Sequence, residues 1–91
     1  MRHYKVKLRP KALWQLNDFY KYVSDRKRKL IKKAILDLDT MPRRGTIRQQ
    51  GVYATDEYRQ SIVEEFIVIY RICEELGTVD IITIKNEKLF V

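Results

Sequence analysis

YRQSIV at residues 58–63, FIVIYRIC at 66–73 and TVDIITIK at 78–85 are three short runs rich in β-branched and aromatic residues. Each is bounded by turn formers and is too short for a helix of ordinary length, so each is expected to be a strand. The joints are small and acidic, Glu64 with Glu65 and then Glu74, Glu75, Leu76 and Gly77. Their register hangs on the first joint. With two turn residues Val63 pairs with Phe66 and Arg59 shares a face with Tyr70. With three, Arg59 moves beside Ile69, because a one-residue slip turns every side chain to the opposite face.

A sheet of this size needs cover on one face. The cover is expected upstream, where 10–24 and 25–41 carry apolar residues at helical spacing. Ala12, Leu13, Leu16, Phe19, Tyr20 and Val23 fall within roughly a third of the wheel at about 100° per residue. Leu30, Ile31, Ala34, Ile35 and Leu38 form a comparable stripe. Pro10 suits a first helical turn, Ser24 or Asp25 can cap the second helix, and Pro42 is expected to end it. Ahead of the helices, HYKVKL (3–8) alternates as an exposed or edge strand does. A loop from about Pro42 to Asp56 leads into the three strands. The expected fold class is therefore α+β: an N-terminal strand, then a helical hairpin packed on a small antiparallel sheet.

With 91 residues, 45% of them hydrophobic, the chain is expected to form a single domain, 1–91, with one core. No apolar run reaches the roughly 18 residues of a membrane span, and MRHYKVKLRP lacks the apolar segment of a secretory signal. The expectation is a cytoplasmic protein with no membrane partner. Cys73, the only cysteine, is expected to be a reduced, buried thiol.

The net charge of +7 is unevenly placed. Residues 1–50 hold 15 Lys or Arg against 4 Asp, whereas residues 51–91 hold 4 against 8 acids. Arg26, Lys27, Arg28, Lys29, Lys32 and Lys33 crowd the start and outer face of the second helix, where the helix dipole disfavours cations. Something beyond isolated helix stability keeps them there. They are read either as a solvated face or as a docking surface, above all Lys29, Lys32 and Lys33, for an acidic protein or a nucleic-acid backbone. Arg43, Arg44 and Arg48, near Gly45 and Gly51, form a second basic cluster able to approach a phosphate. Trp14 points about 100° or more from the centre of the first apolar stripe. It is expected to pack on the second helix or the tail, the other reading being an exposed anchor for a partner.

Enzyme constellations are mostly missing from the sequence. There is no phosphate-binding loop, no dinucleotide fingerprint and no Cys or His spacing suited to zinc, and His3 is the only histidine. No metal and no cofactor are expected. What remains for catalysis is Arg59, Arg71, Lys85 and Lys88, with Tyr53, Tyr58 and Tyr70 nearby. Cations can stabilise charge building on a scissile phosphodiester, and a shifted Lys or Tyr can move protons. Each can equally be a strand-face residue that keeps the sheet soluble.

VKLRPKALWQLNDFYKYVS, the helix ending LDTMPRRG, EYRQSIVEEFIVIYRI and TVDIITIK, in this order and spacing, resemble the RelE/ParE superfamily of bacterial toxins from type II toxin–antitoxin systems. The resemblance covers nearly the whole chain. It implies a helical hairpin on a curved antiparallel sheet, a cognate antitoxin that wraps the toxin in a hetero-oligomer, and a role such as plasmid stabilisation. It also implies one of two targets. RelE-like members cut messenger RNA in the ribosomal A site with Lys, Arg and often a C-terminal Tyr or His, while ParE-like members lack that set and poison DNA gyrase. Carried over by position, Arg59 stands where a catalytic lysine is often found and Ile67 where an arginine tends to follow the turn. Lys85 and Lys88 are the only cations of the last strand and tail, and Phe90 has the ring of the terminal tyrosine without its hydroxyl. The resemblance is therefore closer to the ParE-like branch. Arg59, Arg71, Lys85, Lys88, Phe90, Trp14, Lys29, Lys32 and Lys33 are the residues expected to meet the target or the antitoxin. The alternatives are a ribosome-dependent endonuclease and a non-toxic basic module that binds nucleic acid or protein.

Overall fold

In the computed structural model, which describes residues 3–47 and 58–86, Val63 pairs with Phe66 and Arg59 with Tyr70. The hairpin thus closes on two turn residues. Glu64 takes φ 55°, the left-handed conformation that lets a tight turn match the twist of its strands. The strands joined here are β3, Tyr58–Val63, and β4, Phe66–Cys73. Gly77, at φ 64°, then leads into β5, Thr78–Asn86.

Two further strands complete a five-stranded sheet. β1, Lys5–Leu8, lies at one edge and β2, Thr46–Ile47, at the other, in the order β1-β5-β4-β3-β2. β1 runs parallel to β5, Lys5 beside Thr78 and Leu8 beside Ile81, so the sheet is mixed although the meander itself is antiparallel. Short β2 pairs antiparallel with Gln60 and Arg59, inside the stretch expected to be loop. Two residues carry no readable period, and their pairing comes from the partner strand.

Helix α1, Pro10–Tyr20, begins at its proline and stops short of the expected Ser24. α2, Asp25–Leu36, is capped by Ser24, whose hydroxyl accepts from the Lys27 N–H at 3.3 Å. It ends before Pro42, passing into a 3₁₀ turn, Asp37–Asp39, that leaves Leu38 1% exposed. Ala12, Leu16, Ile31, Ile35 and Leu38 meet Phe66, Val68, Tyr70, Val79, Ile81 and Ile84 in one core. The rings of Phe19 and Phe66 lie 5.0 Å apart. Leu13, placed in the buried stripe by its spacing, is instead 45% exposed on the flank of α1.

The pairing of β4 with β5 shifts between Ile69 and Tyr70, which face Thr83 and Ile81 and leave Ile82 as the extra residue of a bulge. Beyond Ile81 the outer edge of β5 has no β1 partner. Gln15 of α1 fills part of that gap, its amide oxygen accepting from the Ile84 N–H and the Thr83 hydroxyl, both at 2.8 Å. A helix side chain thereby satisfies a main-chain donor that a strand would otherwise take.

Candidate functional site

The cations at the start of α2 find partners in the acidic hairpin turn. The Lys27 ammonium lies 2.9 Å from the Glu65 carboxylate and Arg26 lies 3.6 Å from Glu64. Arg28 turns the other way, donating to the Tyr20 carbonyl at the end of α1 and pairing with Asp25 at 3.1 Å. Half of the basic run is therefore spent within the fold, which accounts for cations at a helix start where the dipole opposes them. Lys29, Lys32 and Lys33 are exposed and form no ion pair with the described residues.

The second basic cluster is absorbed in the same way. Arg43 pairs with Glu74, whose other carboxylate oxygen accepts from the Tyr4 hydroxyl at 2.8 Å, and Arg44 lies 3.6 Å from Asp37. The hydrogen bond to Glu74 pushes the Arg43 guanidinium above its usual pKa. Gly45 sits tight against β3 and β4, its N–H donating to the Tyr70 hydroxyl at 3.1 Å, while Arg59 donates to the Gly45 carbonyl at 2.9 Å. Burial raises the pKa of Tyr70, and the Gly45 N–H and the Arg59 charge oppose that rise. Arg48, Gly51 and Tyr53 lie outside the described residues.

Arg59 and Arg71, widely spaced in sequence, line one cleft of about 490 Å³ at the end of β4, together with Arg43, Cys73, Glu74 and Glu75. Arg43 was legible in the sequence only as a loop cation; its place beside the strand arginines follows from the docking of the Pro42 to Gly45 turn on Tyr70. Cys73 is a free thiol but half-buried rather than buried, because it closes β4 at the rim of this cleft. Lys85 stands opposite Ile67, four residues along β4 from Arg71, about 13 Å away at strand spacing. Lys88 and Phe90 lie outside the described residues.

Trp14 does not pack on α2: it is 71% exposed, and the tail lies outside the described residues. Tyr22, 84% exposed, flanks a second concavity of about 510 Å³ shaped by Phe19, Val23 and Phe66. A third, of about 340 Å³, runs between α2 and β3 past Lys33, Leu30 and the 61% exposed Ile62. No group of three or more His, Cys, Asp or Glu among the described residues could hold a metal ion. Among the same residues no helix is long and apolar enough to cross a membrane. What this surface offers is a set of binding features: a guanidinium cleft, a basic helix face and exposed aromatic and aliphatic residues.

A family model described as the ParE toxin of type II toxin–antitoxin systems matches residues 6–88. In three dimensions the chain is similar to the RelBE2 toxin–antitoxin complex of Mycobacterium tuberculosis, with TM-score 0.74 and 21% identity, over 94% of this chain and 93% of that one. It is similar to the chromosomal ParDE system of P. aeruginosa, with TM-score 0.69 and 17% identity, over 92% and 96%. The intact RelBE toxin–antitoxin complex of E. coli gives TM-score 0.64 and 15% identity, over 91% and 95%. No curated protein matches the chain significantly.

Proposed function

Because the chain belongs to the ParE toxin family of type II toxin–antitoxin systems, within the RelE/ParE superfamily, we propose that it arrests growth by binding and inhibiting DNA gyrase. In this reading it acts in the cytoplasm and is held inactive by a cognate antitoxin in a hetero-oligomer. The observation that carries the proposal is the extent of the family match, residues 6–88, which spans every described strand and helix except the first residue of β1.

The geometry supports a binding mechanism over a cutting one. Hydrolysis at a phosphodiester needs charge-stabilising and proton-moving groups within hydrogen-bond reach of one reacting centre. Here Arg59 and Arg71 share one end of β4, whereas Lys85 lies opposite Ile67 toward the other. One Arg59 N–H is committed to the Gly45 carbonyl. His3 is exposed on the segment before β1. An inhibitor needs only a complementary surface, and the exposed Lys29, Lys32, Lys33 and Trp14 supply charge and an aromatic anchor.

Expression from a tightly controlled promoter tests the proposal. DNA breaks with a damage response and intact transcripts are the expected outcome. Transcripts cut at codon boundaries would replace it with the ribosome-dependent nuclease reading, and undisturbed growth would leave a binding module without toxicity.

A further inference from the structure

Val6 and Leu8 of β1 pack against the core, so Lys5 and Lys7, which alternate with them, stand on the face of the sheet turned away from the helices. Arg9 joins them past the end of the strand. Its N–H continues the ladder to the Ile81 carbonyl at 3.0 Å, and its guanidinium reaches Asp80, the residue paired with Lys7 on this face, at 3.4 Å. All three cations are exposed. At strand rise they are about 6.6 Å apart, a straight row about 13 Å long that main-chain bonds hold to β5.

This face is poor in acids. Asp80 is the only carboxylate in the described strands, and its side chain is 14% exposed. Lys7 on β1 and Arg71 on β4 are its neighbours across the sheet, so with Arg9 one carboxylate faces three cations. Glu74 and Glu75 lie in the turn beyond Lys5, and Glu74 is engaged by Arg43 and Tyr4. Lys5 and Lys7 form no ion pair with the described residues. Lysines on an edge strand also discourage pairing with other chains. That role does not extend to Arg9, beyond the strand, or to Arg71, on the central strand of the sheet.

Evenly spaced cations fit a polyanion whose charges recur at a regular interval. Single-strand binders add aromatic rings on which bases stack, and β1 and β5 carry none. A duplex is stiff and holds its phosphates in place, so a fixed row engages several of them without having to order the ligand. We propose that Lys5, Lys7 and Arg9 bind the phosphate backbone of duplex DNA, with Arg71 adding to the positive field behind them. The contact follows the backbone and carries no base sequence. It goes beyond the gyrase reading and does not depend on it; on gyrase, whose substrate is duplex DNA, it gives the chain a hold on the nucleic acid as well as on the enzyme.

Fluorescence anisotropy with a short labelled duplex of arbitrary sequence tests the site between about 50 and 200 mM salt. The wild-type chain should bind, and its affinity should fall as salt rises. Each phosphate neutralised on a duplex contributes about 0.9 to the slope of log affinity against log salt, so the triple change Lys5→Gln, Lys7→Gln, Arg9→Gln should lower the slope by about 2–3. The triple change Lys29→Gln, Lys32→Gln, Lys33→Gln removes the same charge from α2 and should lower it by less than about 1. Equal losses in the two variants would overturn the proposal, because net charge alone would then account for binding. No binding by the wild-type chain at about 50 mM salt with protein up to about 100 μM would overturn it too, as would tighter binding of the single strand than of the duplex at equal phosphate concentration. Circular dichroism checks the fold of each variant. Should the β1 triple change fail to fold, Lys5→Gln with Lys7→Gln keeps the pair between Arg9 and Asp80 and takes its place, with an expected loss of about 2 in the slope.

Discussion

The Tyr70 hydroxyl donates to the Pro42 carbonyl at 2.6 Å, so a fully buried ring on the central strand holds the turn that carries Arg43 and Arg44. The same oxygen accepts from the Gly45 N–H and thereby fixes both ends of that turn. Tyr70→Phe keeps the ring and orphans a carbonyl and an amide beneath the turn. The expected loss is about 1–3 kcal/mol of stability, because buried polar groups left unpaired cost most of their desolvation. Urea unfolding measures it, and a change below the error of the extrapolation would mean that the turn holds without this contact.

Stability should fall in strong alkali. Burial raises the Tyr70 hydroxyl above the usual tyrosine value of about 10, so the folded chain keeps its proton to higher pH than the unfolded one. The stability this contributes is complete below the unfolded pKa and is lost as pH rises through the folded one. The urea midpoint should hold steady to about pH 9 and drop above about pH 10. Tyr70→Phe should flatten part of the drop, and Tyr20, also raised by burial, should contribute in the same direction.

Gly45 is required for space. A methyl group there would run into the Gln60 carbonyl and lie 2.6 Å from the Tyr70 hydroxyl. Gly45→Ala is expected to cost about 1–3 kcal/mol, as overpacking against main chain does. Thermal unfolding checks this, and a wild-type midpoint would show that the turn can back away from β3.

The two ion pairs to the hairpin turn should differ in worth. Lys27 and Glu65 expose 29% and 12% of their side chains at 2.9 Å, whereas Arg26 and Glu64 expose 74% and 33% at 3.6 Å. Lys27→Ala leaves a largely buried carboxylate short of a partner and should cost about 1–3 kcal/mol. Arg26→Ala should cost less than about 1 kcal/mol, the range of exposed pairs. Equal losses in urea unfolding would contradict this ordering.

Arg59 and Arg71 should separate folding from action. Arg59→Ala removes a charged donor from the Gly45 carbonyl and is expected to lower stability by about 1–2 kcal/mol as well as toxicity. Arg71→Ala, with no partner to lose among the described residues, should lower toxicity at unchanged stability. Growth arrest beside circular dichroism melts gives both readouts, and undiminished arrest in both variants would remove the cleft from the toxic surface.

Much of the architecture was legible in local pattern. The β-branched and aromatic content and short length of 58–63, 66–73 and 78–85, bounded by turn formers, and the period near 3.6 in both helices are local properties, so strand and helix types, their order and most of the covered face of each helix could be read. The parallel placement of β1 and the existence of β2 could not. Both are decided by a partner distant in sequence: Thr78 to Ile81 for β1, and Arg59 with Gln60 for β2. The hairpin register, open between two alternatives, was settled by Glu64 accepting a left-handed conformation that a sequence reader would assign to glycine.

The candidate site divides along the same line. Composition and charge order placed an excess of cations in the first half of the chain, and that holds whatever the fold, because charge is a property of the residues alone. Which of the chain's cations, in either half, remain available is a matter of distance in space. Arg26 and Lys27 are consumed by a turn nearly forty residues away, Arg43 by Glu74, and Arg59 in part by Gly45, while Lys29, Lys32 and Lys33 stay in solvent and Arg71 lines a cleft with no ion pair among the described residues. Local sequence sets the shape of each element through steric and hydrophobic period; only packing brings remote chains within the few ångströms over which charges pair, and so only packing separates structural arginines from those free to bind.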